Sequence, residues 1–175
     1  MADDFIVNGL PLPPLLISLI QQGKWRYPGA ALMNEVMPKA VGRVDLPIEF
    51  YSLKTIRSET ASHLRYFKDD DEVVHLFRET AATLGIPWMD ELFHMLRGSV
   101  STTSIELPWL DIEKSVFIAG SEVIGDDIEI ALDYRTKEED PRVVAPAWGV
   151  WGAQGCLWTE VTPTFSEFVE RLGLT

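Results

Sequence analysis

Cysteine is almost absent from this sequence, which has one, Cys156, among 175 residues. One cysteine excludes a disulfide within the chain and fits a reducing compartment, so we expect a cytoplasmic protein. Long apolar runs are absent too. The most apolar early run, residues 10–20, contains three prolines, is too short to span a bilayer and follows no basic segment. We therefore expect neither a targeting signal nor a membrane partner.

Basic residues are scarce: the chain has 15 Lys and Arg against 27 Asp and Glu, a formal net charge of -12. Because nucleic-acid binding needs clustered Lys and Arg, we expect no nucleic-acid partner. The acidity is regional, since residues 101–140 hold eleven acids and three bases. Two interpretations remain open here. The acidic region either keeps the protein soluble or forms a face that steers a basic protein partner toward it.

Helical patterns dominate the first 100 residues. Pro14 suits a first helical turn, and the apolar residues after it form one face of a short helix. Helices are also predicted over residues 70–87 and 88–98, and the short turn between them favours a hairpin pair. The remaining patterns are weaker: ALMNEVM predicts a helix, PIEFYSL a strand, and SETASHLRYF a helix capped by Ser58.

Strand patterns dominate the last third. The candidate strands are KSVFIAG, DIEIALDY, VVAPAWGVWG and CLWTEV, the third of them interrupted by Pro146. The short spacings and the glycines between these segments predict an antiparallel β meander.

The segment after the last strand predicts a helix. Thr164 and Glu167 form a capping box, Phe165 and Phe168 begin an apolar face, and Gly173 is a C-terminal stop. Helices, then a meander, then a final helix predict an α+β fold, with helices packed on the sheet.

The stretch GDDIEIALDYR, residues 125–135, contains four carboxylates and raises the question of a metal or acid/base site. Asp126 follows Gly125 where a turn enters a strand, so we expect its carboxylate to accept backbone N–H groups and fix the turn. Strand alternation puts Glu129 and Asp133 on a face exposed to water or to a partner. A calcium loop would need a mid-loop glycine that this stretch lacks, so we predict no metal here.

These segments together resemble the SUKH superfamily, which takes in bacterial immunity proteins and fungal cell-wall synthesis regulators. The matching residues are Gly125, Asp126, Ile128, Ile130, Leu132, Asp133, Pro141, Val143, Val144, Val161, Thr164, Phe165, Phe168 and Leu172. Thr164 stands where Ser is usual in that family. The resemblance implies one SUKH-like domain over residues 1–175, with a divergent helical front half (about 1–100) and a sheet-plus-final-helix core (about 107–174).

The resemblance implies a non-catalytic protein-binding module. The expected function is that of an immunity-type protein that binds and neutralises a cognate toxin, or of a related scaffold or regulator. The acidic segment 101–140 would complement a basic toxin such as a nuclease, without a cofactor. The predicted partner-binding residues are Glu122, Asp127, Glu129, Asp133 and Trp151. Trp151 is among them because exposed tryptophans often anchor interfaces. The oligomeric state stays open.

The alternative is a small metal-dependent enzyme that uses His63, His75, His94 and Glu91. Glu91 and His94 form one E-x-x-H pair, whereas di-iron bundles need a second such pair. No H-E-x-x-H, G-x-S-x-G, P-loop or G-x-G-x-x-G motif is present. This alternative predicts stoichiometric metal in the purified protein, and the first hypothesis does not.

Overall fold

The computed structural model of the protein describes residues 5–37, 48–69, 107, 110–121, 128–148 and 156–175. The helices in these residues are α1 (Pro14–Gln21), α2 (Ala30–Val36), α3 (Leu53–Asp69) and α4 (Phe165–Arg171). The strands are β1 (Ile6–Val7), β2 (Leu10–Pro11), β3 (Ile48–Phe50), β4 (Ser115–Ser121), β5 (Glu129–Asp133), β6 (Arg142–Trp148) and β7 (Cys156–Thr162).

The strands form two antiparallel sheets. β1 and β2 pair with each other, and the remaining strands form a five-stranded sheet in the order β3-β4-β5-β6-β7. Strands β4 to β7 each lie beside their chain neighbour, which is the predicted meander. This sheet and the helices around it confirm the α+β prediction. The helices predicted over residues 70–87 and 88–98 lie outside the described residues.

Helices cover both faces of the five-stranded sheet. Phe117 of β4 faces α3, where the His63 ring stacks on it with centroids 3.9 Å apart. The strand register turns Phe50 of β3 to the opposite face. There Trp25 contacts Phe50 and Phe165 of α4, with ring centroids 4.5 and 5.7 Å apart. The sheet is therefore the middle layer between α3 and α4.

Burial on both sides changes the interpretation of β5. Ile130 and Leu132 are fully buried on one face, and Ala131 and Asp133 are fully buried on the other. The prediction of a water-exposed face is therefore wrong for Asp133. Alternation of polar and apolar residues indicates an exposed face only when nothing packs on it, and here charged side chains cover the carboxylate.

α4 forms as its sequence predicts. The Thr164 hydroxyl oxygen accepts a hydrogen bond from the Glu167 N–H at 3.2 Å, which satisfies one of the free N–H groups of the first turn. Phe165 and Phe168 are fully buried in the core. Gly173 follows the helix with a φ of 64°, the left-handed conformation that commonly ends helices.

α3 begins five residues before the predicted cap, at Leu53 rather than after Ser58. The Ser52 hydroxyl oxygen accepts the Thr55 N–H at 3.2 Å and supplies the cap. Ser58 lies inside the helix, where its hydroxyl donates to the Thr55 carbonyl at 3.1 Å. The prediction of Ser58 as the cap is wrong because an earlier serine already satisfies the first turn.

Pro146 does not interrupt β6. It pairs with Trp158 of β7, whereas β5 pairs with β6 only at residues 142–144. Pro146 therefore lies beyond the part of β6 that has a described neighbour on each side. A missing N–H is tolerated at such an edge-like position, so the strand continues to Trp148.

α1 begins at Pro14, as predicted, and buries Leu16 and Leu19 in the core. Proline is favoured in a first turn because the N–H that it lacks has no partner within the helix. Neither α1 nor any other helix in the described part of the chain has the length and apolar character needed to cross a membrane.

Candidate functional site

Three neighbouring strands bring two carboxylates to one face of the sheet. Gly120 of β4 pairs with Glu49 of β3 on one side and with Glu129 of β5 on the other. Paired residues of antiparallel strands point to the same face, so the two glutamates flank a position that has no side chain. Glu49 is exposed, and the side chain of Glu129 is 30% exposed.

Tyr51 occupies the space above Gly120. Its backbone N–H donates to the Ile118 carbonyl at 2.9 Å, which extends the β3–β4 pairing by one residue. A Cβ atom built on Gly120 would lie 2.1 Å from the Tyr51 Oη atom and 3.0 Å from its Cζ atom. Glycine is therefore required here because the tyrosine ring packs directly against the backbone of β4.

The Tyr51 hydroxyl lies near three carboxylates. Burial raises the pKa of Tyr51 well above its ordinary value, and the charges of Glu129, Glu59 and Glu49 raise it further. The carboxylates come from β5, α3 and β3, so only the folded chain brings them together. We call Glu49, Glu59 and Glu129 the acidic cluster.

His63 of α3 contacts this acidic cluster directly. Its Nε2 atom lies 2.9 and 3.0 Å from the two carboxylate oxygens of Glu129, and its Nδ1 atom lies 2.8 Å from the carbonyl oxygen of Glu59. An ionised carboxylate and a carbonyl only accept hydrogen bonds, so both ring nitrogens must donate to satisfy both contacts. This geometry therefore favours the cationic form of the imidazole.

The direction of the His63 pKa agrees with this geometry. Burial lowers the pKa of His63, because a low-dielectric environment disfavours the charged ring. The hydrogen bond and negative charge of Glu129, together with the carbonyl and charge of Glu59, outweigh burial and raise the pKa above its ordinary value. The side chain of His63 is 17% exposed, so water screens the pair only in part.

The hydrogen bonds of His63 count against its use as a metal ligand, which the metal-dependent alternative requires. A histidine binds a metal through a ring nitrogen with a free lone pair, and in this geometry both nitrogens of His63 lie within hydrogen-bond distance of an acceptor oxygen. His75, His94 and Glu91 lie outside the described residues. Among the residues that the structure describes, no three His, Cys, Asp or Glu side chains are placed to hold a metal ion together.

Asp133 lies at the other end of β5, in a separate ion network. Its carboxylate accepts hydrogen bonds from the backbone N–H, Nε and Nη2 of Arg135 at 3.1, 2.9 and 2.7 Å. It also accepts from Arg142 Nε at 2.9 Å, and Arg142 Nη2 lies 2.8 Å away. The carboxylate is thus enclosed by two guanidinium groups whose side chains are 6% and 10% exposed. Its structural role is to hold these two cations inside the fold.

The pKa of Asp133 moves down despite complete burial. Burial raises the pKa of Asp133, but the hydrogen bonds and charge of Arg135 and the charge of Arg142 outweigh it. Toward the surface, Arg142 Nη1 lies 3.9 Å from the carboxylate of Glu160, which is 46% exposed. The network therefore connects the buried carboxylate of Asp133, through Arg142, to the exposed carboxylate of Glu160.

Several predicted site residues lie outside the described part of the chain. They are Glu122, Gly125, Asp126, Asp127 and Trp151. Of the predicted partner-binding residues, the structure describes Glu129 and Asp133, and it places them in different clusters. Of the predicted structural residues, Thr164 caps α4, and the rings of Phe165 and Phe168 are buried in the core.

Sequence patterns did not single out Glu49, Tyr51 and Glu59, or pair His63 with Glu129. His63 and Glu129 are 66 residues apart, and no short-range spacing connects them. The one local signal is Gly120 inside an apolar strand, because an interior glycine commonly marks close approach by another group.

A comparison with known proteins found no family model, no curated protein and no solved structure that matches this chain significantly. The resemblance to the SUKH superfamily therefore stays a prediction from the quoted motif residues.

Proposed function

We propose that this protein is a non-catalytic protein-binding module that uses its acidic cluster to bind a basic protein. The observation that supports this is the convergence of Glu49, Glu59 and Glu129 around Tyr51. His63 contacts the Glu129 carboxylate and adds one positive charge to the cluster. Three carboxylates and one imidazolium have a formal charge of -3 + 1 = -2.

Such a cluster would act mainly on association rate and specificity. Complementary charge speeds encounter and disfavours partners of the same sign, whereas packing at the contact supplies most of the affinity. The chain as a whole has a formal charge of -12, so its long-range field has the same sign as the cluster. A basic partner would approach faster at low ionic strength than at high ionic strength.

The resemblance to the SUKH superfamily supports a more specific proposal. The protein would be an immunity-type protein that neutralises a basic toxin such as a nuclease, or a related scaffold or regulator. Glu122, Asp127, Glu129 and Trp151 are proposed as contact residues. Asp133, which was predicted with them, is not proposed as a contact, since its carboxylate is buried between two arginines. A cytoplasmic location fits the single cysteine.

The test is a pull-down of tagged protein from its own cell lysate at low and at high salt, with mass spectrometry of the bound proteins. Two charge reversals are compared. Glu49→Lys alters an exposed member of the acidic cluster, and Glu170→Lys alters an exposed residue of α4, which packs on the other face of the sheet. We expect a basic protein that is captured at low salt, lost at high salt, lost with Glu49→Lys and retained with Glu170→Lys.

Two outcomes contradict the proposal. A partner captured equally by both variants would mean that the acidic cluster is not the contact. No partner at either salt, together with stoichiometric metal in the same purified sample, would favour the metal-dependent enzyme.

A further inference from the structure

A neutral His63 cannot satisfy the hydrogen bonds observed around it. Neutral imidazole has one N–H and one lone pair. If Nδ1 keeps its proton and donates to the Glu59 carbonyl, the Nε2 lone pair faces the Glu129 carboxylate at 2.9 Å. If Nε2 keeps the proton, the Nδ1 lone pair faces the Glu59 carbonyl at 2.8 Å. Either tautomer therefore replaces one hydrogen bond with repulsion between two acceptors.

The stacked ring limits the ways in which this repulsion can be relieved. The His63 ring lies nearly parallel to the Phe117 ring, at an interplanar angle of 18° and a centroid distance of 3.9 Å. Phe117 is fully buried in β4, so the surface on which the imidazole rests is fixed. Glu129 has room to move because its side chain is 30% exposed, whereas the Glu59 carbonyl is part of the α3 backbone. Loss of the proton should therefore release the Glu129 carboxylate toward solvent.

We propose that the proton on His63 regulates the acidic cluster: the protonated ring holds and neutralises Glu129, and the neutral ring frees Glu129 for a cationic partner. This inference rests on the proposed function, because it assigns a control to the same surface. Deprotonation changes the formal charge of the cluster from -2 to -3. Binding of a basic partner is therefore tighter above the pKa of His63 than below it.

The other described groups of this site come from several elements of the fold. α3 contributes Glu59, β5 contributes Glu129, and the β3 side contributes Glu49 and Tyr51. The packed residue from β4 is Phe117, which has no charge. Burial and the charges of the three glutamates raise the pKa of Tyr51 above its ordinary value, so Tyr51 does not titrate together with His63 near neutral pH.

The probe is an acetylated, amidated octa-arginine peptide, whose charge stays constant across the experiment because arginine does not titrate below about pH 12. Its dissociation constant is measured by fluorescence anisotropy at fixed ionic strength between about pH 6 and pH 9.5. We expect affinity to rise about threefold, the effect of one additional unit charge near the surface. The pH midpoint should match the titration of the His63 ring, followed by NMR in the unmodified protein.

Variants identify the group responsible. His63→Gln should bind with an affinity that is independent of pH. The matched control is His75→Gln with His94→Gln, which removes the other two histidines and should keep the full pH effect. If His63→Gln fails to fold, agreement between the binding midpoint and the NMR midpoint still decides the question.

The outcomes separate this inference from the proposed function. Binding that Glu49→Lys abolishes but that does not vary with pH would overturn the control by His63 and leave the acidic cluster as the contact. Binding that Glu49→Lys does not weaken at any pH would overturn the proposed function itself. A pH effect that persists in His63→Gln would assign the control to another group.

Discussion

Single residues in this protein are constrained by what folds against them more than by their chain neighbours. Gly120 interrupts an apolar strand, and its role becomes clear only with Tyr51 in place above it. Asp133 ends a strand of alternating residues, and its burial becomes intelligible only with Arg135 and Arg142 beside it. The absence of a side chain at Gly120 leaves room for Tyr51, and the negative charge of Asp133 is balanced by the two arginines.

The contact between Gly120 and Tyr51 predicts a strong steric effect. Gly120→Ala should destabilise the protein by about 1–3 kcal/mol, because the added methyl group would meet the tyrosine hydroxyl inside van der Waals contact. Urea denaturation of the purified variant measures this change. In a Tyr51→Phe background, which lacks the hydroxyl, the same substitution should cost less. Equal costs in the two backgrounds would show that the two residues are not coupled.

The buried network predicts a larger effect at Asp133. Asp133→Asn should lower the free energy of unfolding by about 3–5 kcal/mol, because it removes the buried carboxylate that both guanidinium groups contact. The control is Glu167→Gln, which removes the exposed pair with Arg171 and should cost less than about 1 kcal/mol. Similar denaturation midpoints for the two variants would contradict a structural role for Asp133.

The elements differ in how far local sequence specifies them. α4 has its cap, its apolar face and its glycine stop within ten residues, from Thr164 to Gly173, and it forms where those signals predict. α3 has two competing serine caps, and the earlier one is used. β6 contains a proline that local rules treat as a break, yet the strand continues because its pairing with β5 stops at Val144, before the proline.

The cap of α4 can be tested by itself. Thr164→Ala should cost about 1 kcal/mol of stability, since it removes the oxygen that accepts the Glu167 N–H. Thr164→Ser keeps that oxygen and should be close to the unmodified protein. Thermal or urea unfolding of the three proteins provides the comparison. Equal losses in both variants would indicate that the threonine methyl group, and not the cap, is what matters.

At the scale of the whole molecule, described helices cover both faces of the sheet and bring charged side chains from distant segments together. α3 brings His63 and Glu59 to a sheet that already holds Glu49 and Glu129. This layering converts scattered charges into two clusters with different roles. One is enclosed around Asp133, and the other is open to solvent around Tyr51.

The two clusters predict losses of stability in opposite directions of pH change. The pKa of His63 is raised in the folded state, so its contribution is fully present below about pH 6.5 and is lost as the pH rises through the folded-state pKa. The pKa of Asp133 is lowered, so its contribution is present above about pH 4 and is lost as the pH falls through the folded-state pKa. Urea midpoints measured across pH check both directions.

Variants assign each loss to its group. His63→Gln should remove part of the alkaline loss and leave the acid loss unchanged, because Asp133 and its two arginines are untouched. Alkaline losses that are identical in His63→Gln and in the unmodified protein would show that the His63–Glu129 pair does not contribute to stability.

The sequence by itself determined the α+β class, the strands of the meander and the complete final helix. These features depend on periodicity, caps and turn residues, which act over a few neighbouring positions. Tertiary structure alone decided that Asp133 is buried, that Tyr51 covers Gly120 and that His63 reaches Glu129. Tyr51 and Gly120 lie on different elements, as do His63 and Glu129, which are 66 residues apart, and Asp133 also needs Arg142 of β6. Alternation along one strand therefore cannot show what packs on it.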